Sequence, residues 1–157
     1  MKLQLTKNSG KPHVIKYIRD NGSATWMYAD DFFVQHDLSH YAIEKTLQYT
    51  TAFMGMLNEG MEIKDFENRE KRMRMTITRE AMYAENMANL FLWETTQGNF
   101  DDFNGTARQA FETLNTQYPA PSLSEKQLSE VRIFFRQLLR SWSELPVNET
   151  MTLNFEF

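Results

Sequence analysis

The sequence contains no cysteine among its 157 residues. This absence excludes disulfide bonds, thiolate nucleophiles and the cysteine-based class of zinc site. Histidine, aspartate and glutamate are therefore the side chains that remain as metal ligands, and only three of the residues are histidine. Two common catalytic motifs are also missing, because the chain has neither a glycine-rich phosphate-binding loop nor a Gly-x-Ser-x-Gly nucleophile elbow.

Long hydrophobic runs are absent as well. The segment 1–7 lacks the apolar centre of a signal peptide, and no later stretch approaches the roughly 20 apolar residues of a membrane-spanning helix. We therefore expect a cytoplasmic protein with no membrane partner. Positive charge is not in excess, since the formal net charge is −4, and this argues against a nucleic-acid partner. The basic run 69–74 is interleaved with glutamates, which is typical of a solvated surface.

What is present indicates an ordinary globular protein. Hydrophobic residues make up 41% and charged residues 24% of a chain whose length suits one domain, so we predict a single domain over 1–157. Apolar residues alternate with a period of two at both ends of the chain. The pattern predicts three N-terminal strands, with Asn21-Gly22 as a tight turn, and one strand after Pro146 with Met151, Leu153, Phe155 and Phe157 on one face.

Helical spacing occupies the middle of the chain. It predicts four helices, over 38–58, 78–97, 104–116 and from Ser124 onwards, and leaves 61–75 unassigned. The last helix has a capping box, Ser124 with Gln127, at its start. The predicted fold is α+β, with an antiparallel meander and the C-terminal strand in one sheet that packs against about four helices.

The most distinctive segment is 36–44, His-Asp-Leu-Ser-His-Tyr-Ala-Ile-Glu. On a helix, His36 and His40 lie on one face about a turn apart, so both could bind a single metal ion, zinc or another divalent cation. Glu44 continues the row and is a candidate third ligand, or a partner that orients a histidine. Asp37 is the candidate catalytic base, or a partner of His36.

Two helix starts are compatible with this segment. A start at Asp31 puts both histidines inside the helix. If Asp37 is the N-cap instead, His36 precedes the helix, His40 lies in its first turn, and Asp37 accepts backbone N–H groups. The cluster would then serve capping and packing. Glu80, Glu85 and Glu94 of the second predicted helix could add a carboxylate ligand, although such residues are more often solvated.

Two resemblances attach to the same residues. His36-Asp37-x-x-His40 resembles the His-Glu-x-x-His motif of zinc metalloproteases, which implies two histidine ligands and a carboxylate base, here an aspartate shorter by one methylene. The longer pattern His-Asp-Leu-x-His-Tyr-x-x-Glu, spanning 36–44, resembles a segment of small uncharacterised bacterial proteins. The second resemblance implies that the segment matters and attaches no activity to it.

Two functions from different classes fit these observations. The first is a metal-dependent enzyme, hydrolytic in type, that uses His36, Asp37, His40 and Glu44. The second is a binding or regulatory module whose sheet offers an edge or a face to a partner protein, or to a second copy in a homodimer. Because the motif has no assured third ligand, the sequence favours the second function and leaves open whether the protein is an enzyme.

Overall fold

The computed structural model describes residues 1–67, 70–71, 76–114 and 116–156. These residues contain one four-stranded antiparallel sheet in the order β3-β2-β1-β4. Its strands are β1 (Lys2–Thr6), β2 (His13–Ile18), β3 (Ala24–Ala29) and β4 (Thr150–Asn154). The predicted α+β fold is confirmed, with the C-terminal strand lying beside the first strand of the meander.

The described residues form six helices. They are α1 (Asp31–Leu47), α2 (Phe53–Asn58), α3 (Ile63–Glu67), α4 (Arg79–Gln97), α5 (Phe103–Glu112) and α6 (Glu125–Glu144). The predicted capping box of α6 is confirmed. The Ser124 side chain accepts the N–H of Gln127, and the Gln127 side chain accepts the N–H of Ser124. None of the described helices has the length and hydropathy of a membrane span.

The helix that contains the histidines has one of its two predicted starts and a different end. It begins at Asp31, because the Asp30 carboxylate accepts the N–H of Phe33 directly after β3 ends. The alternative start, with Asp37 as the cap, is therefore wrong. The predicted single helix over 38–58 is two helices, since Gln48 adopts a left-handed conformation with φ of 57° and ends α1.

Two further differences concern less regular segments. Part of the unassigned stretch 61–75 is the short helix α3, and the remainder falls partly outside the described residues. The C-terminal strand is shorter than predicted, so Phe155 follows it and is nevertheless buried at 3% exposure. Phe157, the last member of the predicted alternating row, lies outside the described residues.

The core lies between one face of the sheet and the helices. Leu3, Leu5, Ile15 and Tyr17 point from β1 and β2 into this core and are fully buried. Helix α1 packs against both α4 and α6, so it occupies the centre of the helical layer. A polar residue on the inner side of α1 therefore faces other helices and the sheet instead of water.

Candidate metal centre

His36 and His40 form a pair one turn apart on α1. Their ring centroids are 4.8 Å apart, and the side chain of His40 is almost wholly buried while that of His36 is 19% exposed. Asp37 lies beside them, with its Oδ1 atom 3.9 Å from His36 Nδ1. The prediction that these three residues cluster in space is confirmed, and the helix start at Asp31 is the reason, because it gives the pair true i, i+4 spacing.

Glu85 of α4 faces both histidines. Its Oε2 atom lies 3.1 Å from His40 Nε2 and 3.6 Å from His36 Nε2. The three side chains offer one ligand atom each, and these atoms all lie within 4.8 Å of one another. Glu85 was one of three helix carboxylates that the sequence offered. The other two have different partners, since Glu80 accepts the N–H groups of 50 and 51 and Glu94 pairs with Arg132.

Glu44 lies behind His40 and is fully buried. Its Oε1 atom is 3.1 Å from His40 Nδ1, and its Oε2 atom accepts the N–H of Met54 at 2.8 Å. A carboxylate at Nδ1 fixes the tautomer and the orientation of an imidazole whose Nε2 points elsewhere. Glu44 therefore lies on the Nδ1 side of His40, and Nε2 of His40 faces Glu85. The two predicted roles of Glu44, third ligand or orienting partner, stay predictions.

Asp37 has a buried partner that the sequence did not indicate. The hydroxyl of Tyr17, a fully buried residue of β2, donates to Asp37 Oδ2 at 2.6 Å. Burial raises the pKa of Tyr17 well above its ordinary value and the charge of Asp37 raises it further, so the phenol remains a donor. Asp37 therefore accepts a hydrogen bond from Tyr17 and lies beside His36. This is the position expected of a carboxylate that partners a histidine. Its role as a base stays a prediction.

Glu85, the exposed ligand candidate, also accepts a hydrogen bond from a neighbour on its own helix. Asn89, one turn after Glu85 on α4, donates from Nδ2 to Glu85 Oε1 at 3.0 Å. This bond leaves Oε2 directed at the two histidines. The i, i+4 spacing of a carboxylate and an amide on a predicted helix was the available sequence signal for this pair. No sequence signal pointed to the contact of Tyr17 with Asp37.

The cluster is a dense network of charged groups. Burial lowers the pKa of His40, but hydrogen bonds to Glu44 and Glu85 outweigh it and raise the pKa to about 10. Burial also lowers the pKa of His36, but the nearby carboxylates of Asp37 and Glu85 outweigh it, so that the pKa is raised. Burial favours the neutral form of Glu85, yet the two histidines hold its pKa well below the ordinary value. Burial raises the pKa of Glu44, while the hydrogen bond and the charge of His40 oppose this rise. The raised pKa of His40 favours its protonated form at neutral pH.

An aromatic ring closes the inner side of the cluster. The Phe53 ring lies 5.2 Å from the His40 ring and 5.8 Å from the ring of Tyr17. Apolar surroundings exclude water and lower the local dielectric constant, which strengthens every charge interaction in the site. Two imidazoles and a carboxylate with supporting hydrogen bonds are a donor set suited to a divalent transition metal.

Comparisons with known proteins add no family to this geometry. Neither the protein-family models, nor the curated proteins, nor the solved structures contain a match to the chain.

Proposed function

We propose that this protein binds one divalent transition-metal ion, with zinc as the best match, through His36, His40 and Glu85. The observation that supports the proposal is the convergence of three ligand atoms from two helices. Ligand atoms about 2.0–2.2 Å from a tetrahedral zinc are separated by about 3.4 Å. Two of the three separations in the structure, 3.1 and 3.6 Å, bracket this value.

The supporting hydrogen bonds favour a metal site over a chance meeting of side chains. Two of the ligand candidates have a hydrogen-bond partner on their far side, Glu44 for His40 and Asn89 for Glu85. The third, His36, has the Asp37 carboxylate 3.9 Å from its Nδ1 atom. Metal-binding histidines commonly have a carboxylate at the other ring nitrogen, which orients the ring and raises its basicity. Zinc is preferred to magnesium or calcium because two of the three donors are imidazole nitrogens.

Three protein ligands leave one position of a tetrahedral metal free. A water molecule there would have its pKa lowered towards neutrality, and the metal could polarise a carbonyl or phosphoryl oxygen. Hydrolysis is therefore the reaction class that the proposed site would support. The exposed side chain of Glu85, 57% accessible, puts this free position within reach of solvent.

Melting curves of untagged protein with zinc and with a chelator test the proposal. A ligand that binds only the folded state at a hundred times its Kd stabilises by about 2.7 kcal/mol, so the parent should melt several degrees higher with zinc. The double variant His36→Ala/His40→Ala should lose this zinc-dependent difference. Because this variant can also unfold more easily, Glu85→Gln, at an exposed position, provides a second test with less effect on the fold.

The third histidine supplies the matched control. His13 on β2 lies 3.2 Å from Asp31 and outside the cluster, so His13→Ala should keep the zinc-dependent shift whatever its own stability. A parent that melts at the same temperature with zinc and with chelator would contradict the proposal. Elemental analysis of the same untagged protein gives the stoichiometry, which we expect to be one.

The outer face of the sheet favours a second function, as a binding module that pairs with a copy of itself. Trp26 and Tyr28 project from the edge strand β3 on this face, 45% and 63% exposed, with their rings 5.3 Å apart. Two neighbouring exposed aromatic residues are typical of an interface core. Sedimentation at micromolar concentration should show a dimer that Trp26→Ser converts to monomer, whereas a monomeric parent would exclude this function.

A further inference from the structure

Four residues of α1 form one row that runs from solvent into the core. Phe32, His36, His40 and Glu44 follow each other at intervals of four, so they share a helix face. Phe32 is 57% exposed, whereas the side chains of His36, His40 and Glu44 are 19%, 4% and 0% exposed. The proposed metal site therefore has a closed inner end at Glu44 and an open end at Phe32.

The ring of Phe32 is already aligned with the open end of the site. It stacks on the His36 imidazole with an angle of 26° between the rings and 6.2 Å between their centroids. Phe33 meets the Phe32 ring edge-on at 5.5 Å and is itself 45% exposed. Phe32 thus contacts His36, the more exposed of the two histidines, and Phe33 extends the exposed aromatic surface beside it.

The closed end determines where an external ligand can enter. Glu44 and Phe53 occupy the inner side of His40, so a molecule reaching the metal must pass the side where Phe32 and Glu85 are exposed. An oxygen atom of that molecule would take the free coordination position. The part of the molecule next to this oxygen would then lie against the Phe32 ring.

We infer that the site takes small aromatic acid derivatives, in which a metal-coordinating carboxylate or carbonyl group is joined to an aryl ring that packs on Phe32. This inference rests on the proposed metal site. Aromatic rings prefer offset or edge-on packing with other rings, and such pairs add to the free energy of burying their surface. An acid with only a methyl group would gain the metal–oxygen contact without the ring contact.

Calorimetric titration of the zinc-loaded protein with two hydroxamates tests the inference. Benzohydroxamate and acetohydroxamate share the same coordinating group and differ in the aryl ring. We expect benzohydroxamate to bind about tenfold more tightly, in keeping with one aromatic contact and the area it buries. The variant Phe32→Ala should bring the two affinities to within about twofold, mainly by weakening benzohydroxamate.

A matched control is available on another helix. Trp93 of α4 is 62% exposed and outside the row, so Trp93→Ala should keep the parent's preference. Equal binding of the two hydroxamates, or a preference that survives Phe32→Ala, would overturn the inference while leaving the metal site intact. A prior zinc titration without hydroxamate separates the two claims. If the parent binds no zinc, both fall, and if it binds zinc without aryl preference, only this inference falls.

Discussion

Replacement of Glu44 by glutamine is the sharpest test of how the buried end of the site works. Glu44 accepts two hydrogen bonds, from His40 Nδ1 and from the Met54 N–H. The amide of glutamine has one acceptor oxygen and one NH2 donor at nearly the same positions. It can satisfy Met54 and His40 together only if His40 loses its Nδ1 proton and accepts from the amide.

Two measurable consequences follow from Glu44→Gln. The metal-free variant should lose about 1–3 kcal/mol of stability, because a buried charge-assisted hydrogen bond is replaced by a weaker one or left unmade. For a chain of this length, that corresponds to a melting temperature lower by a few degrees to about 10 °C. Zinc affinity should fall about 10–100-fold, the usual cost of removing the group that orients a histidine ligand.

Thermal melting followed by circular dichroism and zinc titration calorimetry would measure both effects. Glu80→Gln is the matched control, since Glu80 lies one turn and a half before Glu85 on α4 and accepts backbone N–H groups of a neighbouring loop instead. Its zinc affinity should equal that of the parent. A Glu44→Gln protein that melts and binds zinc as the parent does would refute the assignment of Glu44 as the orienting partner.

Three further predictions concern the same network and the fold around it. Because the pKa of His40 is raised to about 10, its protonated form stabilises the metal-free protein fully below about pH 6.5. This contribution to the free energy of unfolding should decline between about pH 6.5 and 10 when it is measured by chemical denaturation. An unfolding free energy that does not change over this range would contradict the prediction. Zinc must displace protons, so calorimetry in buffers of different ionisation enthalpy should show proton release, and zinc affinity should rise with pH. Removing all residues after Pro146 deletes β4 and the buried Phe155. The truncation should lower the melting temperature by many degrees or prevent soluble expression. A truncated protein that melts like the parent would show that the strand is dispensable.

Local patterns predicted the strands and two of the helix starts, whereas α1 was predicted with two alternative starts and with an end that is too late. The period of two at both chain ends predicted the strands, and the capping residues Thr78 and Ser124 predicted the starts of α4 and α6. These signals are local, since they depend on neighbouring residues alone. The break at Gln48 was missed because a left-handed residue other than glycine at a helix end leaves little trace in the sequence.

The histidine pair of the candidate site was predicted, and its partners from other elements were not, for a related physical reason. His36 and His40 belong to one helix, so their spacing alone placed them together. The choice of Glu85 over Glu80 and Glu94 depends on how α4 is rotated against α1, which is a matter of tertiary packing. The contact of Tyr17 with Asp37 likewise depends on where the sheet meets α1, and no pattern within either element specifies it.

The most direct test of the central claim is a crystal structure of the zinc-soaked, untagged protein with anomalous data collected at the zinc edge. The proposed site predicts one strong anomalous peak about 2.0–2.2 Å from Nε2 of His36, Nε2 of His40 and a carboxylate oxygen of Glu85, with Glu44 still bonded to His40 Nδ1. An anomalous map with no peak at this position, and with His40 Nε2 still bonded directly to Glu85, would contradict it.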